Sequence, residues 1–324
     1  MIAGPRTRLA PTPSGRLHAG NAFSFLCAWL AARSQGGTVI LRIEDVDVSR
    51  ARPEHVESAF RDLEWLGLDW DEGPSGPDDV ASPFRQSSPD RQARYRQVWR
   101  DWVERSLLYP CRCTRGELRS DAPQVDRLDQ ESPVGPVYSG RCRDRGAVEA
   151  GERDAWRLKL PAAPSEYDDR WRGVQSVGSL QSLGDPVLRR GDGIFAYHLA
   201  VCVDDADQGV DTVVRGRDLL GFGHLHRHLH ILLGRPAPTF VHHPLLGDPT
   251  GARLAKRAGS SSLSGMRESG TDPQAVVGAL APLLYPAARL DGSSVSAREL
   301  LSLGVPAPGT LDLPSPAFAA GVRP

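Results

Sequence analysis

Lysine is almost missing from this chain of 324 residues: of 39 Lys and Arg, only Lys159 and Lys256 are lysines. Wherever a cation suffices the sequence uses arginine, so a surviving lysine marks a place that needs a compact ammonium, with chance retention as the competing explanation. Excess charge of either sign is missing too. A formal net charge of −1 excludes a uniformly basic coat and leaves room for a local basic face. The opening MIAGPRTRLAPT lacks the apolar core of a signal peptide, and no transmembrane helix is expected, so the expected setting is cytoplasmic and free of membrane. There is no internal repeat. Five cysteines, an odd number, point to thiols or metal ligands before disulfides. What is present in ordinary measure, 40% hydrophobic and 24% charged residues, suits a globular chain of two or three packed units.

The stretch RLAPTPSGRLHAGN, residues 8–21, crowds turn-formers ahead of a lone histidine and an apolar run beginning at Ala22. It reads as strand, tight loop and buried helix, an order that places backbone N–H groups and a positive helix end at the loop, where an anion such as phosphate could sit. An ordinary capped helix start is the alternative. After Gly36-Gly37, TVILRIEDVD reads as a strand ending in carboxylates, and Pro53 opens a helix that runs to Gly67. Strand, helix, strand, helix predicts a parallel sheet with right-handed crossovers, whose ligands bind at the carboxyl ends of the strands. Residues 91–108 read as a helix. Farther on, GIFAYHLAVCVDD, DTVVRG and PTFVHHPLL read as strands, DLLGFGHLHRHLHILLG and PQAVVGALAPLL as helices, and the final VPAPGTLDLPSPAFAAGVRP as disordered.

Four patterns carry chemistry. Cys111 and Cys113, followed by Tyr138 and Cys142, could make a tetrahedral site of the kind Zn²⁺ favours, and scattered thiols are the open alternative. Cys27 and Cys202 lie in apolar runs and read as small core residues. The loop GARLAKRAG presents Arg253, Lys256 and Arg257 between glycines, either as a phosphate-holding loop or as an exposed basic one. In HLHRHLH, His224 would pair with His228 and His226 with His230 on two helix faces, with no carboxylate at metal-site spacing, so a polar, partly exposed helix surface is expected. Arg8, Glu44, Tyr197 and Arg215 fall at four expected strand ends, where a carboxylate can hold an ammonium and an arginine a carboxylate. Each alone could belong to a surface ion pair; their joint position favours a site for a small zwitterion.

Over about residues 6–265 the chain resembles the class I glutamyl-tRNA synthetases. RLAPTPSGRLHAGN matches that family's first signature, with His18, Gly20 and Asn21 in the HIGH-type position; RIED at 42–45, FAYHLAVCVDD, VVRGRDLL and the RLAK loop follow in family order. The joint match is far more specific than any piece. The Cys-x-Cys, Tyr-x-x-x-Cys pattern and the short segment after Met266 are similar to the branch of the family that glutamylates queuosine in tRNA(Asp). The resemblance implies an α/β, Rossmann-like HIGH/KMSKS-type catalytic domain with a zinc-containing insertion. Its expected division is 1–110 and 191–265 for the two catalytic halves, 111–190 for the insertion, and 266–324 for a helical stub and tail without an anticodon-binding domain.

The resemblance also implies a reaction: ATP-dependent activation of L-glutamate without tRNA, then transfer to queuosine of tRNA(Asp), by a monomer. Arg8, Leu9, Ala10, Pro11, Thr12, Glu44, Tyr197 and Arg215 would bind glutamate, Glu44 taking the α-amino group. His18, Gly20, Asn21 and Lys256 would hold ATP, with His18 and Lys256 catalytic, Mg²⁺ accompanying ATP, and zinc on Cys111, Cys113, Tyr138 and Cys142. Two departures stand out. The KMSKS-type loop has Arg253 for its first lysine and Ala255 for its serine, and the spacer 114–137 is longer than a zinc module needs. A compact synthetase charging a tRNA 3′ end, and a weakened paralogue that binds a nucleotide or RNA, are the alternatives.

Overall fold

The computed structural model describes residues 4–120, 137–246 and 262–307. The chain begins with β1 (Arg6–Leu9), α1 (Ala19–Arg33), β2 (Thr38–Leu41), α2 (Pro53–Trp65), α3 (Pro89–Glu104), β3 (Leu108–Cys111) and α4 (Arg115–Ser120). Strands β4 (Ala155–Leu158), β5 (Ser165–Asp169), β6 (Gly173–Val177) and β7 (Val187–Arg189) precede α5 (Tyr197–Asp207) and β8 (Thr212–Gly216). The remainder is α6 (Phe222–Leu232), β9 (Thr239–His243), α7 (Leu263–Glu268) and α8 (Pro273–Leu284).

The first strand–loop–helix unit forms as its residues dictate. Pro11, Pro13 and Gly15 stop β1, and α1 then runs apolar nearly all round, so eleven of its fifteen residues are buried. β1 and β2 pair in parallel, Arg6 opposite Thr38 through Leu9 opposite Leu41, with α1 as the crossover. β8 and β9 also pair in parallel, with α6 between them. Backbone bonding joins the two halves, because the Asp211 N–H donates to the Arg6 carbonyl at 3.1 Å. The parallel α/β arrangement expected from the sequence is present in both halves.

The segment between the halves divides in two. β3, β4 and β7 form an antiparallel sheet, whereas the β5–β6 hairpin joins the second half through parallel pairing of β5 with β9, Asp169 opposite Phe240. One core gathers α1, β1, β2, α2 and α8 around Phe23, Trp29, Leu63 and Leu280. A second gathers α3, α5 and α6 with β3 and β4 around Tyr95, Trp102, Leu199 and Leu229. Cys27 and Cys202 lie in these two cores, as expected.

Two expectations need correction. GIFAYHLAVCVDD is not a strand: residues 197–207 are helix α5. Its continuous apolar run is compatible with a buried strand or a buried helix, and periodicity cannot separate them. HLHRHLH is more buried than a partly exposed surface, since His224, His226 and His230 are buried while Arg227 and His228 stay partly exposed. Helix α6 packs against α5 and β5, and the imidazoles find partners there: His224 meets Ser165 and His226 meets His198. The 247–261 segment with Lys256, the 121–136 part of the spacer and the 308–324 tail lie outside the described residues. Among the described residues, no helix is long and apolar enough to cross a membrane.

Candidate active site

At the carboxyl ends of β1 and β8 lies a cavity of about 230 Å³. Arg8, Ala10, Thr12, Glu44, Tyr197 and Arg215 all line it, so six of the residues singled out in the sequence meet on one hollow. Two do not. Leu9 is wholly buried in the hydrophobic core, and Pro11 serves through its carbonyl, which accepts from the Glu44 N–H at 3.0 Å and so fixes the backbone of Glu44. Tyr197 reaches the cavity from the first turn of α5, not from a strand end. Ser24 and Phe25 of α1 and Leu219 complete a partly apolar wall that the sequence did not single out.

Charge is arranged unevenly around this cavity. Arg42, fully buried, donates from Nη1 to Asp205 at 2.7 Å and from Nη2 to Glu44 at 3.2 Å. Arg8 donates from Nη1 to the Val214 carbonyl at 3.1 Å, and its Nε lies 3.4 Å from Asp205. Burial pushes the Glu44 carboxyl up, against the opposing pull of the Arg42 and Arg8 guanidiniums. Burial also pushes the Tyr197 hydroxyl up to about 12, which keeps it a neutral phenol at pH 7. Asp204 and Asp205 are not singled out by the sequence, and only their long-range meeting with Arg42 and Arg91 reveals their place.

His18 is the N-cap of α1. Its Nδ1 accepts from the Gly20 N–H at 3.1 Å, and its own N–H donates to Asn21 Oδ1 at 3.0 Å, a reciprocal capping box. A Cβ at Gly20 would stand 3.0 Å from His18 Cε1, so a side chain there would press on the imidazole. The chain returns to this corner after the Lys256 segment: Ser262 bridges His18, and the Leu263 N–H donates to the Leu17 carbonyl at 2.8 Å.

Cys111, at the end of β3, faces Cys113 and Cys142 in a group whose three sulfurs lie within 4.8 Å of one another. The Tyr138 hydroxyl is 3.5 Å from Cys111 Sγ and 3.8 Å from Cys113 Sγ, and it accepts the Cys142 N–H at 2.8 Å. Tetrahedral zinc with Zn–S near 2.3 Å needs sulfurs about 3.8 Å apart, and Cys113 and Cys142 stand at 3.6 Å. These donors therefore fit the ion. Burial pushes the Cys142 thiol up, but bonding to Tyr138, the Arg112 backbone and the other thiols outweighs it and holds the group down at about 7, toward the thiolate a metal requires.

A family model described as class I tRNA synthetases (E and Q), catalytic domain, matches residues 5–297. The glutamyl-Q tRNA(Asp) synthetase of Nitratidesulfovibrio vulgaris is 45% identical over 286 residues, covering 86% of each chain. That of Symbiobacterium thermophilum is 47% identical over 293 residues, 87% of this chain and 86% of the relative. The crystal structure of a glutamate tRNA ligase from Elizabethkingia meningosepticum in complex with its amino acid superposes with a TM-score of 0.74 at 29% identity. That match covers 98% of this chain and 66% of the other, so the chain spans just under two thirds of that enzyme's length. The chain belongs to the class I glutamate and glutamine tRNA synthetases, resembles their glutamyl-Q tRNA(Asp) members, and is a ligase.

Proposed function

We propose that this protein activates L-glutamate with ATP in the absence of tRNA and transfers it to the queuosine base of tRNA(Asp). The observation that carries the reading is the single cavity in which Arg8, Glu44, Tyr197 and Arg215 converge. Glutamate has one ammonium and two carboxylates. Glu44 takes the ammonium, Arg215 takes the side-chain carboxylate with Arg8 beside it, and Ala10 and Thr12 form the adjoining backbone wall. The α-carboxylate attacks the α-phosphorus of ATP, the bond to the β-phosphate oxygen breaks, and pyrophosphate leaves. A hydroxyl of the acceptor base then attacks the carbonyl of the adenylate, and AMP leaves.

The start of α1, with His18, Gly20 and Asn21, offers a positive helix end to the phosphates, and Lys256 adds a compact cation. Mg²⁺ supplies charge neutralisation to ATP. Cys111, Cys113, Tyr138 and Cys142 would hold a structural Zn²⁺ that fixes the β3–β4–β7 sheet. The protein acts as a monomer in this account, and the setting of a tRNA-modifying ligase is cytoplasmic.

Transfer of labelled glutamate is measured on tRNA(Asp) with and without queuosine. The proposal expects label only on the queuosine-containing tRNA, retained when the 3′-terminal adenosine is removed. Label that depends on an intact 3′ end would instead show a compact charging enzyme, and no label on either tRNA would leave a nucleotide- or RNA-binding paralogue.

A further inference from the structure

Arg215 is a buried cation, 5% exposed, that contacts no carboxylate among the described residues. Its Nε donates to His242 Nε2 at 2.9 Å, its Nη1 to His226 Nδ1 at 2.7 Å, and its Nη2 to the Leu219 carbonyl at 3.2 Å. A guanidinium has N–H donors and no acceptor, so the imidazole nitrogen facing it on each ring must be unprotonated. The rest of each ring then follows. His242 carries its proton on Nδ1 and donates it to Asp169 Oδ2 at 2.5 Å. His226 carries its proton on Nε2 and donates it to His198 Nδ1 at 2.9 Å, which leaves the His198 proton on Nε2. Asp169 is steadied from the other side by the N–H groups of Trp171 and Arg172, at 3.1 and 2.9 Å.

The contrast with the neighbouring arginines is chemical. Arg42 and Arg8 approach Asp205, so their charge is offset within the fold. Arg215 is oriented by two neutral rings that cancel none of its charge, and the Phe240 ring lies 5.0 Å from its guanidinium carbon. Three of its N–H donors are spent on His242, His226 and Leu219, and a guanidinium has five. One N–H remains on each terminal nitrogen, the pair a carboxylate accepts in bidentate fashion.

We infer that His226 and His242 are positioning residues that make the cavity select a carboxylate: as neutral imidazoles in opposite tautomers, they aim Arg215 and leave its charge for the side chain of the bound amino acid. The inference rests on the reading of the cavity as a glutamate site. It separates glutamate from glutamine, since an amide leaves a buried guanidinium without its counter-charge. Burial keeps both rings neutral, with Asp169 opposing it at His242 and Arg215 reinforcing it at both.

Two measurements test this. Nitrogen-15 signals of the imidazoles in the whole protein at pH 7 should show His242 protonated on Nδ1, and His226 and His198 on Nε2. In glutamate-dependent pyrophosphate exchange, His242→Leu and His226→Leu should raise the KM for glutamate about tenfold or more while kcat moves less than about threefold. His242→Gln and His226→Asn, which keep an acceptor near the lost nitrogen, should stay within about threefold of the parent KM. An imidazolium on either ring, or folded leucine variants with the parent KM, overturns the inference. Should the leucine variants not fold, folded amide variants with a KM raised about tenfold overturn it as well. If the parent protein shows no glutamate-dependent exchange, the glutamate reading fails, and the tautomer signals still decide the arrangement around Arg215.

Discussion

Arg42 and Glu44 meet at 3.2 Å with Arg42 wholly buried, so the carboxylate that lines the cavity is held by a cation no substrate can touch. Asp205 is 2.7 Å and Asp204 3.9 Å from the same guanidinium. Removing it strands buried carboxylates, and breaking such a cluster costs about 3–5 kcal/mol. Arg42→Leu is therefore expected to lower the unfolding free energy read from urea titration by that order, with a lower midpoint, and to abolish exchange. An unchanged midpoint would show that the cluster is not what holds Glu44.

Acid should weaken the fold through its histidines. Burial, with Arg215 adding its charge, holds His198 and His242 down at about 4, from an ordinary value of 6.5. The unfolded chain binds a proton at each as pH falls below 6.5, and the folded chain does not until about 4. Their stabilisation is thus complete above 6.5 and lost progressively between 6.5 and 4, by about 1.4 kcal/mol per pH unit for each ring. The midpoint of unfolding measured across this range should fall steeply, and less steeply in His242→Gln. A level profile would contradict the buried neutral state.

His18 has a capping role that can be separated from its proposed contact with phosphate. Asparagine is a good N-cap, so His18→Asn should change stability by less than about 0.5 kcal/mol, whereas His18→Ala should cost about 1 kcal/mol. Both should reduce exchange by about a hundredfold if the ring serves the transition state. Thermal unfolding and exchange on the same samples check the separation; full exchange in His18→Asn would leave only the cap.

The purified protein should contain one zinc per chain, released by chelation with a drop in melting temperature. Cys113→Ser and Cys142→Ser should lose the metal, and Tyr138→Phe, which removes the fourth donor, should weaken binding by more than the roughly 10- to 100-fold seen when a metal site's outer contacts are changed. Metal content and the Co²⁺ absorption spectrum measure both. A Cys142→Ser protein with undiminished metal would show that the ion sits elsewhere.

The local rules of sequence go far along this chain. Pro11, Pro13 and Gly15 mark the end of β1, Pro53 opens α2, and the apolar spacing of 273–284 matches α8. The cysteine pattern foretold the sulfur cluster that residues 111, 113 and 142 form. What could not be read locally depends on partners distant in sequence. Residues 199–203 form an unbroken apolar stretch without helical or strand periodicity, so only packing against α3 and α6 decides for helix. His226 reads as part of a polar helix surface and His242 as one residue of a strand until Arg215 is set between them, and Asp169 acquires its place only when β5 joins β9.

The account rests most directly on glutamate-dependent exchange of pyrophosphate into ATP by the purified protein, with and without tRNA. It predicts exchange without tRNA, unchanged when tRNA is added and abolished in Lys256→Ala. Exchange that appears only with tRNA, or that survives in Lys256→Ala, would contradict it.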